Sequence, residues 1–230
     1  MQKVVVLSGA GMSAESGLKT FRDANGLWEG HDVMQVATPE GWKANQELVL
    51  KFYNERRKQL LEVLPNQGHL DLVKLEEAYD VHIITQNVDD LHERAGSSKV
   101  IHLHGELLKV RSCNDPSQVL EWKKDLKTGD LCPQGGQLRP HIVWFGEEVP
   151  LMEEASVLVS EADYIIIVGT SMQVYPAAGL ITLAQPNAEI FFIDPAPSIT
   201  QRKGLTILPE RATTGVKKVV DTLLSKQTNN

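Results

Sequence analysis

Five short apolar runs recur along the chain and predict the strands of one sheet. β-Branched residues dominate them, and most runs are apolar at both odd and even positions. This pattern is typical of strands whose two faces are both buried, as in a parallel sheet. The runs cover Val4–Leu7, Val81–Thr85, Val100–His104, Tyr164–Gly169 and Ile190–Asp194.

Predicted helices lie between these runs and complete an alternation of strand and helix. Such alternation is typical of an α/β, Rossmann-like fold, a parallel sheet with helices on both faces. Ligands in such folds bind at the carboxyl ends of the strands, so we expect one cleft there. The helical segments are His69–Tyr79, Leu151–Ala162, Ala177–Ala184 and Gly215–Ser225.

Two stretches break the alternation and predict a small inserted module. Residues 29–65 hold one long helix, near Asn45–Leu64, with no strand before it, and residues 106–139 are rich in turn residues. We expect these stretches to pack together, with substrate entering between the module and the sheet. The large domain is then formed by residues 1–28, 66–105 and 140–230.

Composition narrows the function classes. The chain has 230 residues and a formal net charge of −7, which argues against a general nucleic-acid or membrane-surface binder. No stretch reaches the roughly 18 apolar residues of a membrane span, and no secretory signal is visible. Two cysteines give no disulfide framework. We expect a cytoplasmic protein, and a monomer.

A glycine-rich turn follows the first apolar run. Gly9 and Gly11 would let backbone N–H groups approach a pyrophosphate, and the helix expected next would favour the same anion. A dinucleotide-binding dehydrogenase would continue with a second strand and an acid about 20 residues on. Here a polar loop, Thr20–Trp28, follows instead. The turn therefore predicts phosphate binding without hydride transfer.

Several sequence blocks, in order along residues 3–200, together resemble the sirtuins, the NAD-dependent protein lysine deacylases. The closest resemblance is to their class III branch, which removes succinyl and malonyl groups. The resemblance implies that NAD is a co-substrate and that acyl-lysine proteins or peptides are the partners. The blocks are Gly9–Ser13 with Thr20–Arg22, Thr85–Asp89, His102–Glu106, Arg139–Glu147 and Gly169–Ser171.

The resemblance implies catalytic roles for His104 and Asn87. In sirtuins a histidine deprotonates a ribose hydroxyl, and an ordinary pKa near 6.5 suits that task. His104 could instead be a satisfied core histidine, and His102, deeper in the same strand, is interpreted as structural. Asn87 and Asp89 could cap the helix that begins nearby, and capping can coexist with ligand binding.

The remaining NAD contacts are also carried over from the resemblance. Asp89 matches the acid that recognises the nicotinamide carboxamide, and Asp194 stands where many relatives have an asparagine against the adenosine ribose. The predicted NAD-binding residues are Gly9, Ala10, Gly11, Glu15, Phe21, Arg22, Gln86, Asn87, Asp89, Gly169, Thr170, Ser171 and Asp194.

Acyl specificity is expected to depend on Ala37, Tyr53 and Arg56. Tyr53 and Arg56 lie three apart on the long helix and share a face. In class III relatives this pair holds the distal carboxylate of the acyl group, and Ala37 matches the small residue that makes room for it. The alternative is a solvated charge run on the helix. The expected substrate-peptide contacts are Val143, Trp144, Phe145 and Gly146.

The chain departs from the family at the structural zinc site. Sirtuins hold zinc with two Cys-x-x-Cys pairs, whereas only Cys113 and Cys132 remain here. A structural site needs four ligands, so zinc is not expected even if Asp115 supplies an oxygen. A metal-free module would then be held by Val119, Leu120, Trp122 and Leu126.

The resemblance therefore implies an NAD-dependent lysine deacylase that removes succinyl, malonyl and also acetyl groups, releasing nicotinamide and 2'-O-acyl-ADP-ribose. A plain deacetylase and a mono-ADP-ribosyltransferase are alternatives. An NAD sensor without turnover is disfavoured because His104 and Asn87 are present. A dehydrogenase is disfavoured because the second strand and its acid are missing.

Overall fold

The computed structural model describes residues 1–19, 27–28, 30–198 and 201–228. Short 3₁₀ turns cover Ala10–Met12, Ala14–Ser16, Lys74–Glu77 and Ala177–Leu183. The described strands are β1 (Lys3–Ser8), β2 (Leu27–Trp28), β3 (His31–Asp32), β4 (Asp80–Thr85), β5 (Val100–His102), β6 (Gly105–Ser112), β7 (Val119–Glu121), β8 (Leu138–Ile142), β9 (Tyr164–Val168), β10 (Glu189–Ile193) and β11 (Leu205–Leu208). The described helices are α1 (Val33–Val36), α2 (Pro39–Ala44), α3 (Gln46–Glu62), α4 (Gln67–Val73), α5 (Leu91–Ala95), α6 (Met152–Ser160) and α7 (Ala212–Thr228).

The central sheet has the order β11-β10-β9-β1-β4-β5 with every neighbouring pair parallel, which confirms the predicted α/β class. β1 lies between β4 and β9, and Ser8 is in register with Thr85 on one side and Val168 on the other. The carboxyl ends of these three strands therefore meet at one edge. The edge strand β11 was not predicted; it is a run of only four residues and is half-buried.

Element boundaries differ from the predicted ones in an informative place. The run predicted as a strand over Val100–His104 leaves the sheet at His102, and the chain turns at residues 103–104 before starting β6. His104 therefore lies in a tight turn between two sheets. The helix predicted over His69–Tyr79 divides into α4 and a 3₁₀ turn, and the one predicted over Ala177–Ala184 is 3₁₀.

Side chains on both faces of the sheet are buried in separate cores. Val4 and Val6 of β1 pack with α4 and α7 on one face. Val5 and Leu7 pack with α6 on the other. Because successive side chains of a strand point to opposite faces, the continuous apolar run of β1 is what a strand covered on both sides requires.

A third core joins side chains from residues 33–60 with side chains from residues 107–144, beside the three-stranded sheet β7-β6-β8. The module boundaries stay a prediction. Its expected core needs correction: Leu126 is buried and Trp122 is partly buried, but Val119 and Leu120 lie on the exposed strand β7.

Among the described residues, no helix combines the length and the apolar character needed to cross a membrane.

Candidate functional site

A cavity of about 310 Å³ opens at the carboxyl edge of the central sheet, beside the third core. Its floor is formed by the two turns that follow β1 and β9, one polar wall by the loop after β4, and the opposite wall by α3 and the segment after β8. Most of the predicted site residues line it. They are Gly9, Ala10, Gly11, Ala37, Tyr53, Arg56, Gln86, Asn87, Asp89, His104, Val143, Trp144, Phe145, Gly146, Gly169, Thr170 and Ser171.

The floor consists of two turns packed backbone against backbone. The Gly11 N–H donates to the Gly169 carbonyl oxygen at 2.8 Å, and the Gly9 N–H donates to the Val168 carbonyl oxygen at 3.1 Å. Gly169 has φ +62°, and a Cβ there would lie 2.2 Å from the Met12 nitrogen. These glycines are thus required by the contact between the turns. The Gly9 and Gly11 N–H groups are both bonded to the second turn, so any N–H groups that approach a pyrophosphate belong to other residues, and that approach stays a prediction.

The helix expected after the glycine turn is also replaced by two single 3₁₀ turns, Ala10–Met12 and Ala14–Ser16. Such short turns align few peptide dipoles, so the helix-terminus argument for anion binding weakens. Glu15 does not line the cavity: its carboxylate accepts bonds from the Thr213 N–H and hydroxyl at 3.0 and 2.9 Å, at the start of α7.

Of the remaining predicted NAD contacts, one lies away from the cavity lining and two cannot be placed. Asp194 is buried at the end of β10 and is not among the lining residues; its carboxylate accepts a bond from the Ala196 N–H at 2.8 Å. Phe21 and Arg22 lie outside the described residues.

A hydrogen-bonded chain of side chains forms the polar wall. The Asn87 amide donates to the Ser13 hydroxyl at 3.1 Å, and Ser13 donates to Asp89 at 2.9 Å. The other Asp89 oxygen accepts from the Leu91 N–H at 3.2 Å, at the start of α5. Burial raises the pKa of Asp89 to about 6. Asp89 therefore accepts the N–H of the first residue of α5 while it lines the cavity. Sequence reasoning missed Ser13, although it closes the first family block.

His104 stands in the turn between β5 and β6 and faces the cavity. Its Nδ1 lies 3.1 Å from the Gln86 carbonyl oxygen. A carbonyl oxygen only accepts, so Nδ1 carries the proton and Nε2 keeps its lone pair. Burial lowers the pKa of His104, which keeps the ring neutral near pH 7. The side chain is half-buried and lines the cavity, which is not the setting of a packed core histidine.

Tyr53 and Arg56 of α3 form part of the opposite wall. Arg56 is only 8% exposed, donates to the Phe52 carbonyl oxygen at 3.2 Å, and stacks on the Phe52 ring. The Tyr53 hydroxyl accepts from the Trp144 indole N–H at 3.0 Å. Burial raises the pKa of Tyr53, so it remains a neutral phenol. The alternative of a solvated charge run therefore fails for Arg56.

The three consecutive cations of α3 separate because a helix turns by about 100° per residue. Arg56 faces the cavity, and Arg57 is buried against the small sheet, donating to the Leu107 carbonyl oxygen at 3.2 Å. Lys58 is exposed and pairs with Asp125 at 3.1 Å. Each side chain has a different environment.

The segment expected to pair with a substrate backbone is already held by the protein. The Val143 N–H donates to the His104 carbonyl and the Phe145 N–H to the Ala37 carbonyl. The Trp144 N–H donates to Glu147, whose carboxylate also pairs with Arg139 at 2.7 Å. Strand addition by this segment would use groups other than these N–H groups.

The two cysteines lie in different surroundings. Cys113 is exposed, whereas Cys132 is buried and its thiol donates to the Ser112 hydroxyl at 3.3 Å. Within the described ranges, no three His, Cys, Asp or Glu side chains cluster as metal ligands. That zinc is absent stays a prediction.

Comparisons with known proteins agree with this geometry. The profile described as "Sir2 family" matches residues 9–176. The chain is 64% identical over 195 residues to the "NAD-dependent protein deacylase" of Helicobacter pylori (strain J99 / ATCC 700824), covering 85% of this chain and 83% of that protein. It is 52% identical to the protein of the same name from Bacteroides thetaiotaomicron, covering 97% and 99%.

Solved structures give the same result. A Sir2 homologue in complex with NAD superposes with a TM-score of 0.88 at 37% identity, covering 98% of this chain and 90% of the other. With the profile matched over most of its length and relatives above 50% identity, the chain belongs to the Sir2 family.

Proposed function

We propose that this Sir2-family enzyme is an NAD-dependent protein deacylase that prefers lysines carrying succinyl or malonyl groups. The deacylase activity is supported by the relatives of that name, which are 52–64% identical. The acyl preference is supported by one observation: a nearly buried arginine and a tyrosine, Arg56 and Tyr53, line the same cavity as His104. The products are nicotinamide and 2'-O-acyl-ADP-ribose.

The residues around the cavity fit NAD. The polar wall offers neutral and acidic groups with fixed orientations. The Gln86 side-chain amide donates a hydrogen bond to the Thr170 hydroxyl at 3.1 Å, which connects this wall to the floor. Asp89, with a pKa of about 6, can accept from a carboxamide N–H as a carboxylate. Bound NAD supplies a ribose carbon that becomes electrophilic as nicotinamide leaves.

The protein's own contribution to the chemistry is a positioned base. His104 Nε2 holds a free lone pair because Nδ1 donates to Gln86, so Nε2 is the atom that takes a proton from a hydroxyl. Its lowered pKa keeps that lone pair available at neutral pH. Asn87, fixed through Ser13, presents an amide beside it for a ribose hydroxyl or a water molecule.

Tyr53 and Arg56 supply complementary donors for a carboxylate. The Trp144 indole can only donate, so the Tyr53 hydroxyl is the acceptor in that bond and its own proton is directed to another acceptor. The Arg56 guanidinium adds a positive charge in a site of low exposure, where charge-assisted bonds are stronger than in water. A short acetyl group offers no carboxylate to either residue.

Arg56→Met tests the preference. A lost charge-assisted bond is worth about 1.5–3 kcal/mol, so kcat/KM for succinyl-lysine peptides should fall about tenfold to a hundredfold. Deacetylation should change by less than about threefold, since only the carboxylate contact is removed. Nicotinamide release is measured over acetyl, malonyl, succinyl and glutaryl peptides.

Lys58→Met is the matched control, because it removes a cation from the same helix at an exposed position whose ion pair contributes little. It should leave every peptide unaffected. Equal loss of desuccinylation and deacetylation in Arg56→Met would point to a plain deacetylase, and NAD label transferred to protein would point to an ADP-ribosyltransferase.

A further inference from the structure

The loop that carries Asn87 is fastened to the β5–β6 connection by three successive carbonyl groups. The Gln86 carbonyl accepts from His104 Nδ1 at 3.1 Å, the Asn87 carbonyl lies 3.0 Å from His102 Nδ1, and the Val88 carbonyl accepts from the Leu107 N–H at 2.7 Å. Two of these three bonds thus come from histidines. His104 is the proposed base, so the role of His102 needs its own account.

Both nitrogens of His102 face groups that only accept hydrogen bonds. Nδ1 faces the Asn87 carbonyl oxygen, and Nε2 lies 2.6 Å from a Glu93 carboxylate oxygen. A neutral imidazole carries one N–H and would set a lone pair against one of these oxygens. Only the imidazolium ion satisfies both. Burial lowers the pKa of His102, but the bond and charge of Glu93 outweigh burial and raise it.

This cation acts on Asn87 from behind the cavity wall. Residue 87 is held at its carbonyl by His102, at its N–H by the Thr85 hydroxyl at 3.0 Å, and at its side chain by Ser13. Of these three bonds, the carbonyl bond is the one made directly by a titrating side chain, whereas Ser13 reaches the titrating Asp89 at one remove. Its loss would let the peptide plane between Asn87 and Val88 rotate, and the amide direction would change with it.

We propose that His102, held as a cation by Glu93, is a positioning residue that fixes the Asn87 amide in the reactive orientation. The inference rests on the proposed function, since it assigns Asn87 a role in deacylation. His102 is not among the described residues that line the cavity and is bonded to one that does, Asn87, so it is not a catalytic residue.

The charges around His102 decide the sign of its pH dependence. Glu93 and Glu106 favour the cation. The charge of His102 in turn adds to the burial that lowers the pKa of His92 and opposes the burial that raises the pKa of Asp89. As pH rises through the raised pKa of His102, the ring loses a proton and one of its two bonds. We therefore expect kcat to fall on the alkaline side at that pKa.

Glu93→Gln tests whether Asn87 needs the hydrogen bond from His102 or the positive charge of His102. An amide can donate its N–H to the unprotonated Nε2 of a neutral His102, which leaves Nδ1–H to hold the Asn87 carbonyl. Both bonds then survive without a titrating proton. We expect the variant to keep kcat at pH 7 within about twofold and to lose the alkaline fall.

His102→Gln removes the second donor. An amide N–H that held the Asn87 carbonyl would set the amide oxygen against the Glu93 carboxylate, so the N–H donates to Glu93 instead and the Asn87 carbonyl loses its donor. We therefore expect kcat to fall about tenfold, the size expected for one lost charged bond. KM for the acyl peptide should change by less than about twofold. His82→Gln is the control, because it breaks another histidine–carboxylate pair, with Asp80 at 3.0 Å, far from Asn87.

Acyl-peptide-dependent nicotinamide release is measured from pH 6 to 10 for the four proteins. An alkaline fall that persists in Glu93→Gln, or a His102→Gln kcat equal to that of His82→Gln, overturns the inference. If His102→Gln does not fold, the Glu93→Gln profile decides alone. A wild-type protein that releases no nicotinamide with any acyl peptide overturns the proposed function, and this inference with it.

Discussion

Gly169→Ala tests whether the cavity floor is two interlocked turns. Gly169 has φ +62°, a conformation that costs any other L-residue about 1–2 kcal/mol. The added Cβ would also lie 2.2 Å from the Met12 nitrogen, so backbone must move, at an overpacking cost of about 1–3 kcal/mol. The free energy of unfolding should therefore fall by about 2–5 kcal/mol.

Gly135→Ala isolates the conformational part of that cost. Gly135 has φ +81°, and an added Cβ there meets no described atom within 4 Å, so a loss of only about 1–2 kcal/mol is expected. Urea denaturation followed by circular dichroism measures both variants under the same conditions. A Gly169→Ala protein as stable as Gly135→Ala would refute the close contact between the turns.

Three further outcomes follow from the site. Tyr53→Phe should lower kcat/KM for succinyl peptides about tenfold in the nicotinamide-release assay and leave acetyl peptides unchanged, because only a hydroxyl is lost; equal effects on both would contradict the assignment. Deacylation should fall on the acid side below pH 6.5 as the His104 base is protonated, since burial lowers its pKa, and His104→Ala should be inactive at every pH measured; an acid limb above pH 6.5 would contradict this. Glu147 pairs with Arg139 and Arg111, which outweigh burial and lower its pKa, so its stabilisation is present above its unfolded pKa and lost as pH falls through the lowered value. Glu147→Gln should lower the free energy of unfolding by about 3 kcal/mol at pH 7. When the pH is lowered through that range, the variant should lose less stability than the wild type, and an equal loss in both proteins would argue against the pair.

The fold was largely predictable because its central strands are continuous apolar runs. A strand buried on both faces needs apolar side chains at nearly every position, so such runs identify it. What failed were edges and turns. β11 is half-buried and only four residues long, and the β5–β6 turn lies inside a run of residues that predicts one strand. Chain reversal there depends on Gly105, whose φ of +84° and close approach to the His141 carbonyl only the folded structure reveals.

The residues that line the cavity were predictable where they belong to a sequence block that resembles the family. They were less predictable where the direction of a side chain decides whether it reaches the cavity. The sequence Arg56-Arg57-Lys58 predicts three solvated cations. Because of the helical rotation, Arg56 lines the cavity, Arg57 is buried against the small sheet and Lys58 is exposed. Glu15 was carried over from the family resemblance as an NAD contact, whereas its carboxylate accepts bonds from Thr213, about two hundred residues away in the chain. Contacts of that range leave no local pattern.

The floor of the cavity and the wall formed by α3 are built in different ways. The floor depends on main-chain contact between Gly11 and Gly169, where a single methyl group has no room. The wall formed by α3 depends on two side chains, Tyr53 and Arg56, on a helix that Arg57 anchors by its bond to the Leu107 carbonyl oxygen. Under the proposed function, substitutions at two positions one helical turn apart would change which lysine modification is recognised, and the main-chain contact of the floor would stay as it is.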